Sequence, residues 1–258
     1  MSKYLLDLTK EFAGLRALVT GGSRGIGGAA TQRLIDGGAK VVVSARSRHA
    51  ETPADAIFVA GDTRTKEGAE AVGRAALKAL DGKIDILINS VGAARLHPSL
   101  EAIPDDEWLD SLNVNFLATV RVTAAVLPAL KQSKCGAVVN VSAGGEIPFP
   151  GVLAHYGAAK AALNNYSKGL AKELAPLGVR VNIVTPGPVY TPGGDVVRDQ
   201  ITTAMGITVK QFMSTVPLQG RGGTSEEVAE VIAFLVSNRS SYVTGHNHFV
   251  SGGASELS

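Results

Sequence analysis

Seven short runs rich in Val, Ile, Leu and Ala recur along the chain, with longer amphipathic stretches between them. This alternation restricts the fold more than any other feature. The runs are Arg16–Thr20, Val41–Ser44, Ile57–Ala60, Ile84–Asn89, Ala137–Ser142, Arg180–Thr185 and His248–Val250. Several are continuously apolar rather than alternating, the pattern of parallel strands covered on both faces. Helical periodicity occupies the intervals near 25–36, 66–80, 105–132, 156–175 and 225–237. Together these predict an α/β fold: a doubly wound parallel sheet of Rossmann type, about seven strands with right-handed crossovers and helices on both faces. No linker, repeat or low-complexity segment interrupts the sequence, so residues 1–258 read as one domain. Residues 190–220 break the rhythm, with Pro192, Gly193 and Gly194 followed by scattered Val196, Ile201, Met205, Phe212 and Met213. An excursion of that length is expected to serve as a substrate lid or pocket wall; the plainer alternative is a helical hairpin packing its apolar residues inward.

Composition narrows the function. Hydrophobic residues make up 45% and charged residues 19%, which excludes global disorder. The net charge is +2 with no block of like charges, so neither nucleic acid nor an anionic membrane is an expected partner. Asp7, Lys10 and Glu11 fall where a signal peptide would be apolar, and no run approaches the roughly 18 apolar residues of a membrane helix. A single cysteine, Cys135, rules out an intramolecular disulfide and suits a reducing compartment. A soluble, cytoplasmic protein is the expectation.

The first strand runs directly into Gly21-Gly22-Ser23-Arg24-Gly25-Ile26-Gly27, after which a helix begins. Glycines there allow tight turning and close backbone approach, and the free N–H groups of the helix start can hold a pyrophosphate. A plain strand–helix turn would also use glycine; the position after the first strand favours dinucleotide binding. NAD(H) enzymes generally place a carboxylate at the end of the second strand. No acid occurs between Lys40 and Ala50. Arg46 stands there instead, with Arg24 in the glycine loop and Ser47 adjoining. Two guanidiniums can clamp a 2′-phosphate, so NADP(H) is the expected cofactor.

Tyr156 and Lys160 stand four apart near the start of a predicted helix, on one face and roughly 6 Å apart along its axis. A tyrosine of reference pKa about 10 is a poor acid or base at neutral pH. A neighbouring ammonium, with the positive ring of an oxidised nicotinamide, is expected to favour phenolate and bring Tyr156 nearer the working range. Tyr156 would then donate a proton to a substrate oxygen as hydride reaches carbon.

The chain resembles the short-chain dehydrogenase/reductases over nearly all of its length. Thr20-Gly21-x-x-x-Gly25-Ile26-Gly27, Asp62, Asn89-Ser90-Val91-Gly92, Asn115, Tyr156-x-x-x-Lys160, Pro186-Gly187 and a closing Gly252-Gly253 carry the resemblance. It implies that Asp62 binds the adenine amino group with Thr63 beside it, that Asn89 steadies the central strand, and that Gly92 lies under the cofactor. It further implies that Asn115, within a long helix, holds a water in a proton relay through Lys160, which also bonds the nicotinamide ribose. Pro186-Gly187-Pro188-Val189-Tyr190-Thr191 would meet the nicotinamide and pyrophosphate, with Val189 and Thr191 as contacts. Helices 105–132 and 156–175 would pair between subunits of a homo-oligomer, a tetramer or dimer.

Departures from the family pattern bear on mechanism. Ser251 stands where an aspartate often precedes the final glycines, and Asn89-Ser90-Val91-Gly92 replaces the usual Asn-Asn-Ala-Gly. The family's catalytic serine lies thirteen residues before the tyrosine, and that position is Ala143. Ser142 adjoins it, but neighbouring strand residues face opposite sides. Two functions follow: an oxidoreductase acting on a small, apolar carbonyl or alcohol substrate, or a non-catalytic NADP-binding regulatory protein. His246 and His248 alternate on the last strand without a third ligand of suitable spacing, so no metal site is expected. His97 and His155 border the expected substrate cleft.

Overall fold

The computed structural model describes residues 7–143 and 151–254. Seven strands form one sheet: β1 (Arg16–Thr20), β2 (Lys40–Ala45), β3 (Ile57–Ala60), β4 (Ile86–Asn89), β5 (Ala137–Val141), β6 (Arg180–Pro186) and β7 (Asn247–Val250). Every pair is parallel and the order is β3-β2-β1-β4-β5-β6-β7. The order reverses at β1 and β4, where the carboxyl ends of the strands diverge and leave a crevice for a ligand.

The apolar runs are continuous because alternate residues enter different cores. Ala17 and Val19 of β1, with Val41 and Val43 of β2, pack beneath α1 (Gly25–Asp36) and α8 (Ser225–Val236). Leu18 and Val42 face the other way, against α2 (Lys66–Ala79), α4 (Ala118–Leu130) and α5 (Ala154–Leu174). Good caps fix several helix starts. Thr65 accepts from the Gly68 N–H ahead of α2, and Thr224 with Glu227 forms a reciprocal capping box ahead of α8.

The expected single helix over 105–132 is divided. It comprises α3 (Asp105–Leu112), a π-helical turn at Asn113–Leu117, and α4. Such a turn inserts a wider i→i+5 loop and commonly marks a functional site. Taken as one unit, Asp105–Leu130 is long and apolar enough to cross a membrane, contrary to the run-length reading of the sequence. Val122, Val126 and Leu130 are instead packed into the second core.

The 190–220 excursion consists of α6 (Pro192–Met205) and α7 (Val209–Met213). Val189 forms an isolated parallel bridge with Gly223, the Tyr190 N–H donates to Gly223 O at 3.0 Å, and the Gly223 N–H donates to Pro188 O at 2.9 Å. These bonds close the neck of the excursion, so α6 and α7 project as a unit beside the crevice.

Candidate active site

Gly21 and Gly27 of the glycine loop have no room for a side chain. Gly21 adopts φ +67°, and a Cβ there would stand 2.7 Å from Ser90 O. A Cβ on Gly27 would stand 2.3 Å from Gly21 O. Arg24, at the N-cap of α1, supplies no side-chain bond to the helix start, which leaves the amide donors available to an anion. Ser23 is buried, and Ile26 packs against the first core. Across the loop, Gly25 faces Thr191 and Pro192, with a Cβ position 3.6 Å from Thr191 Cβ. The structure thus brings the glycine loop, Ser90 and the start of α6 around one cradle, and these residues fit a dinucleotide pyrophosphate.

Beyond the cradle, Arg24, Arg46 and Ser47 are exposed. Asp62 is engaged by Arg64, whose Nη2 donates to Asp62 Oδ2 at 2.6 Å. Chiefly that hydrogen bond, with a smaller pull from Arg46, holds the Asp62 carboxyl below its usual range. Thr63 is buried beside it. Arg121 then donates to Arg64 O and, at 3.0 Å, to Asn113 Oδ1, tying this region to the π-turn.

At the other end, Pro186 closes β6, the Gly187 N–H donates to Val250 O, and a Cβ on Gly187 would stand 2.7 Å from Ser251 Cα. That close approach accounts for glycine at 187 and keeps the Pro186–Thr191 segment against β7. Val189 is buried, and Thr191 caps α6 by accepting from the Gly194 N–H.

Asn89 sits at the centre of a polar file crossing three strands. It accepts from Thr20 Oγ1 at 3.4 Å, and its Nδ2 donates to Asn140 Oδ1 at 2.9 Å; Asn140 donates onward to Ser167 Oγ on α5. Asn115 lies in the π-turn rather than in a regular helix. Its Oδ1 accepts from the Ala93 N–H at 3.0 Å and its Nδ2 donates to Ala93 O at 2.9 Å, clamping the loop after β4. A Cβ on Gly92 would stand 3.3 Å from Asn115 Oδ1 and 3.5 Å from Lys160 Nζ, so these three residues share one corner. Lys160 is 3% exposed and donates to Val141 O at 3.0 Å. Its Nζ lies 5.9 Å from the Tyr156 ring centroid.

Burial overrides the charge argument drawn from the sequence. Tyr156 is half-buried, and in the free protein that partial desolvation of the phenolate pushes it up to about 12 rather than lowering it. The same desolvation lowers Lys160 to about 8. Lys160 therefore destabilises the fold while charged. Below about pH 8 it is protonated in both folded and unfolded chains and the full penalty applies. Between there and the unfolded value, near 10.4, the unfolded chain binds more protons and stability rises with pH. Lys160→Met is expected to abolish turnover yet raise Tm at pH 7, with the gain shrinking as pH rises past 8. A lower Tm at pH 7 in a scanning-calorimetry series would refute this.

Ser142 is 4% exposed and its Oγ donates to Ala143 O at 3.3 Å. The Ser142 N–H donates to Val184 O at 2.8 Å, so the β5 ladder continues without a bulge to the end of the strand. Ala143 is half-buried. By sequence, residues 93–98 and 144–155 are further candidates for the wall of the substrate cleft; of these, 144–150 lie outside the described residues.

Sequence spacing missed Arg64, Arg121, Ser111 and the Asn140–Ser167 pair. Asn140 carried a signal, being one polar residue inside Val138-Val139-Asn140-Val141. Arg121 and Ser111 reach distant segments, at Arg64 O and His155 O, whereas Arg64 pairs with Asp62 two residues away. Among the described residues His246 and His248, with ring centroids 6.3 Å apart, gather no third ligand. His97 and His155 do meet, with centroids 5.3 Å apart, and Glu107 joins them.

Comparison with known proteins agrees with this geometry. A family model described as enoyl-(acyl carrier protein) reductase matches residues 21–255. The 3-oxoacyl-(acyl-carrier-protein) reductase of Salmonella typhimurium is 35% identical over 250 residues, spanning 94% of this chain and 98% of the relative. Its Escherichia coli counterpart is 34% identical over 249 residues, with the same coverage. A ligand-free aldohexose dehydrogenase from Thermoplasma acidophilum superposes with a TM-score of 0.85 at 26% identity, covering 97% of this chain and 98% of that one. With a seven-stranded parallel sheet and this match along nearly its whole length, the chain belongs to the short-chain dehydrogenase/reductase family of oxidoreductases.

Proposed function

We propose that this protein is an NADPH-dependent reductase of an apolar ketone or aldehyde, able to oxidise the corresponding alcohol, with Tyr156 as the general acid/base. The convergence of Tyr156, Lys160, Asn115 and Gly92 beside the glycine cradle carries this reading. Relatives named as reductases favour it over a regulatory, non-catalytic role. Tyr156 keeps its proton across the physiological range and can give it to a carbonyl oxygen that gains charge. Lys160, anchored on Val141 O and lowered to about 8, can pass a proton inward from the loop that Asn115 fixes, to replace the one Tyr156 gives to the carbonyl oxygen. A bound nicotinamide would supply the hydride and, once oxidised, a positive charge next to the phenol. NADPH oxidation against a panel of ketones and 3-oxoacyl thioesters tests the activity. No consumption with any member, at enzyme concentrations approaching the cofactor's, overturns it.

Arg24 and Arg46, with no acid between Lys40 and Ala50, support NADP(H) over NAD(H). NADPH is expected to bind at least tenfold more tightly than NADH, about 1.4 kcal/mol. Arg46→Ala should remove most of that preference and leave NADH affinity unchanged. Equal affinities in the unmutated protein, measured by fluorescence titration, would rule out the arginine clamp.

Trp108, Phe116, Leu117 and Val120 remain only half-buried on the outer side of the α3–α4 unit, and Leu109 is exposed. They support self-association through this face, in a dimer or tetramer. A monomer mass by light scattering at micromolar concentration would refute it.

A further inference from the structure

His97, Glu107 and His155 come from a loop, from α3 and from the start of α5, and no sequence motif links them. The structure nevertheless gathers one nitrogen from each imidazole and one carboxylate oxygen to within 4.8 Å of one another. His155 Nε2 and Glu107 Oε1 are 3.7 Å apart. In a tetrahedral zinc site with metal–nitrogen bonds of about 2.0–2.1 Å, two imidazole centroids fall roughly 5 Å apart. The observed separation is 5.3 Å, with rings inclined at 81°.

The polar atoms here are under-satisfied for a merely structural cluster. His155 is 1% exposed, and its Nδ1 is buried without a partner, as is His97 Nε2. Buried polar atoms are normally paired, and His97 Nε2 is the orphan that a ligand here would satisfy; His155 faces Glu107 through Nε2, the other ring nitrogen from its orphaned Nδ1. Glu107 Oε2 is occupied by Arg95 Nη1 at 2.9 Å, which leaves Oε1 toward the histidines. Arg95 is largely exposed and can turn into solvent.

We propose that His97, Glu107 and His155 form a site for one zinc-type divalent transition-metal ion, with water or a substrate oxygen as the remaining ligand. Two imidazoles and one carboxylate form a borderline nitrogen–oxygen donor set, which suits Zn²⁺ or Co²⁺ rather than Ca²⁺ or Mg²⁺. Moving the ligand atoms together by about 1 Å gives the edge length of a zinc tetrahedron. The ion would pin together three segments. The His97 N–H already donates to Val152 O, Ser111 Oγ donates to His155 O, and His155 immediately precedes Tyr156. Metal occupancy would thus fix the wall of the cleft next to the catalytic tyrosine.

The test is direct metal binding and does not depend on turnover. Chelator-treated full-length protein is titrated with Zn²⁺ by calorimetry and with Co²⁺ by visible absorption. One ion per chain is expected, with the intense d–d bands of tetrahedral cobalt. His97→Gln and Glu107→Gln should each weaken zinc binding at least tenfold and remove those bands, whereas His246→Gln should change neither. Each variant is accepted only with a cooperative melt, and either accepted ligand variant suffices. Absence of stoichiometric binding in the unmutated protein overturns the proposal. So does unchanged affinity in a folded His97→Gln or Glu107→Gln protein, which would place the ion elsewhere.

Discussion

Replacing Tyr156 by phenylalanine is expected to reduce turnover by at least a thousandfold while NADPH affinity stays within about twofold of the original. The substitution removes one oxygen and keeps the ring. The ring is half-buried at the third residue of α5 and Lys160 lies one turn further along, so the packing that orients this end of the helix survives. What disappears is the only atom of that side chain able to donate a proton. In the free protein burial pushes this group up to about 12, so it starts protonated at pH 6 and pH 9 alike. Loss of rate should therefore be the same at pH 6 and pH 9 for the reduction direction. Stopped-flow absorbance with a saturating ketone measures it. Should Tyr156→Phe retain a tenth of the original kcat, the acid lies elsewhere and the assignment fails.

Ala143→Ser is expected to raise kcat at least tenfold with little change in cofactor affinity. A hydroxyl at the position thirteen residues before the tyrosine would donate to the oxygen on which negative charge develops, and a methyl group cannot. One such donor is worth about 10²–10³ in kcat, or roughly 2.7–4 kcal/mol. Ser142 is the competitor. While the ladder lasts, alternation puts Ser142 on the same side as Val138 and Asn140, and Asn140 touches Ser167 of α5. Ala143 follows the last strand residue by two, where the chain leaves the ladder and alternation no longer dictates direction. The pair of variants separates the cases. An inert Ala143→Ser together with a dead Ser142→Ala would make Ser142 the working hydroxyl.

Fold and cradle were legible in the sequence because they rest on local rules. Val41-Val42-Val43 is continuously apolar because both faces are covered, and glycine at 21 and 27 meets the close backbone approach there. Strand limits from sequence fell within two residues of those observed, as for Ile84–Asn89 against Ile86–Asn89. The π-turn was not legible: Asn113–Leu117 holds mostly weak helix formers, which do not by themselves specify an i→i+5 turn, and the Asn115 contact there is with Ala93, twenty-two residues away. The burial of Tyr156 and Lys160, which in the free protein raises one and lowers the other, was not legible for the same reason. Spacing reports that two groups are neighbours, whereas desolvation depends on everything else packed around them. The union of His97 and Glu107 with His155 is likewise a product of topology.

The polar file from Thr20 through Asn89 and Asn140 to Ser167 has a consequence for how the chain reaches its structure. Parallel strands have no hairpin turn to set their alignment, and runs such as Ile86-Leu87-Ile88 against Val138-Val139 would pair almost as well if shifted by two residues. A shift of β4 against β5 by two leaves apolar contacts largely intact but parts the Asn89 and Asn140 amides in a dry interior, at a cost of about 1–3 kcal/mol for each group left unpaired. The file therefore works as a proofreading mark. Mispaired sheets are not poorer in greasy contacts than the right one; they are penalised at one point, in the middle, where β1, β4 and β5 must agree at once before α5 can dock.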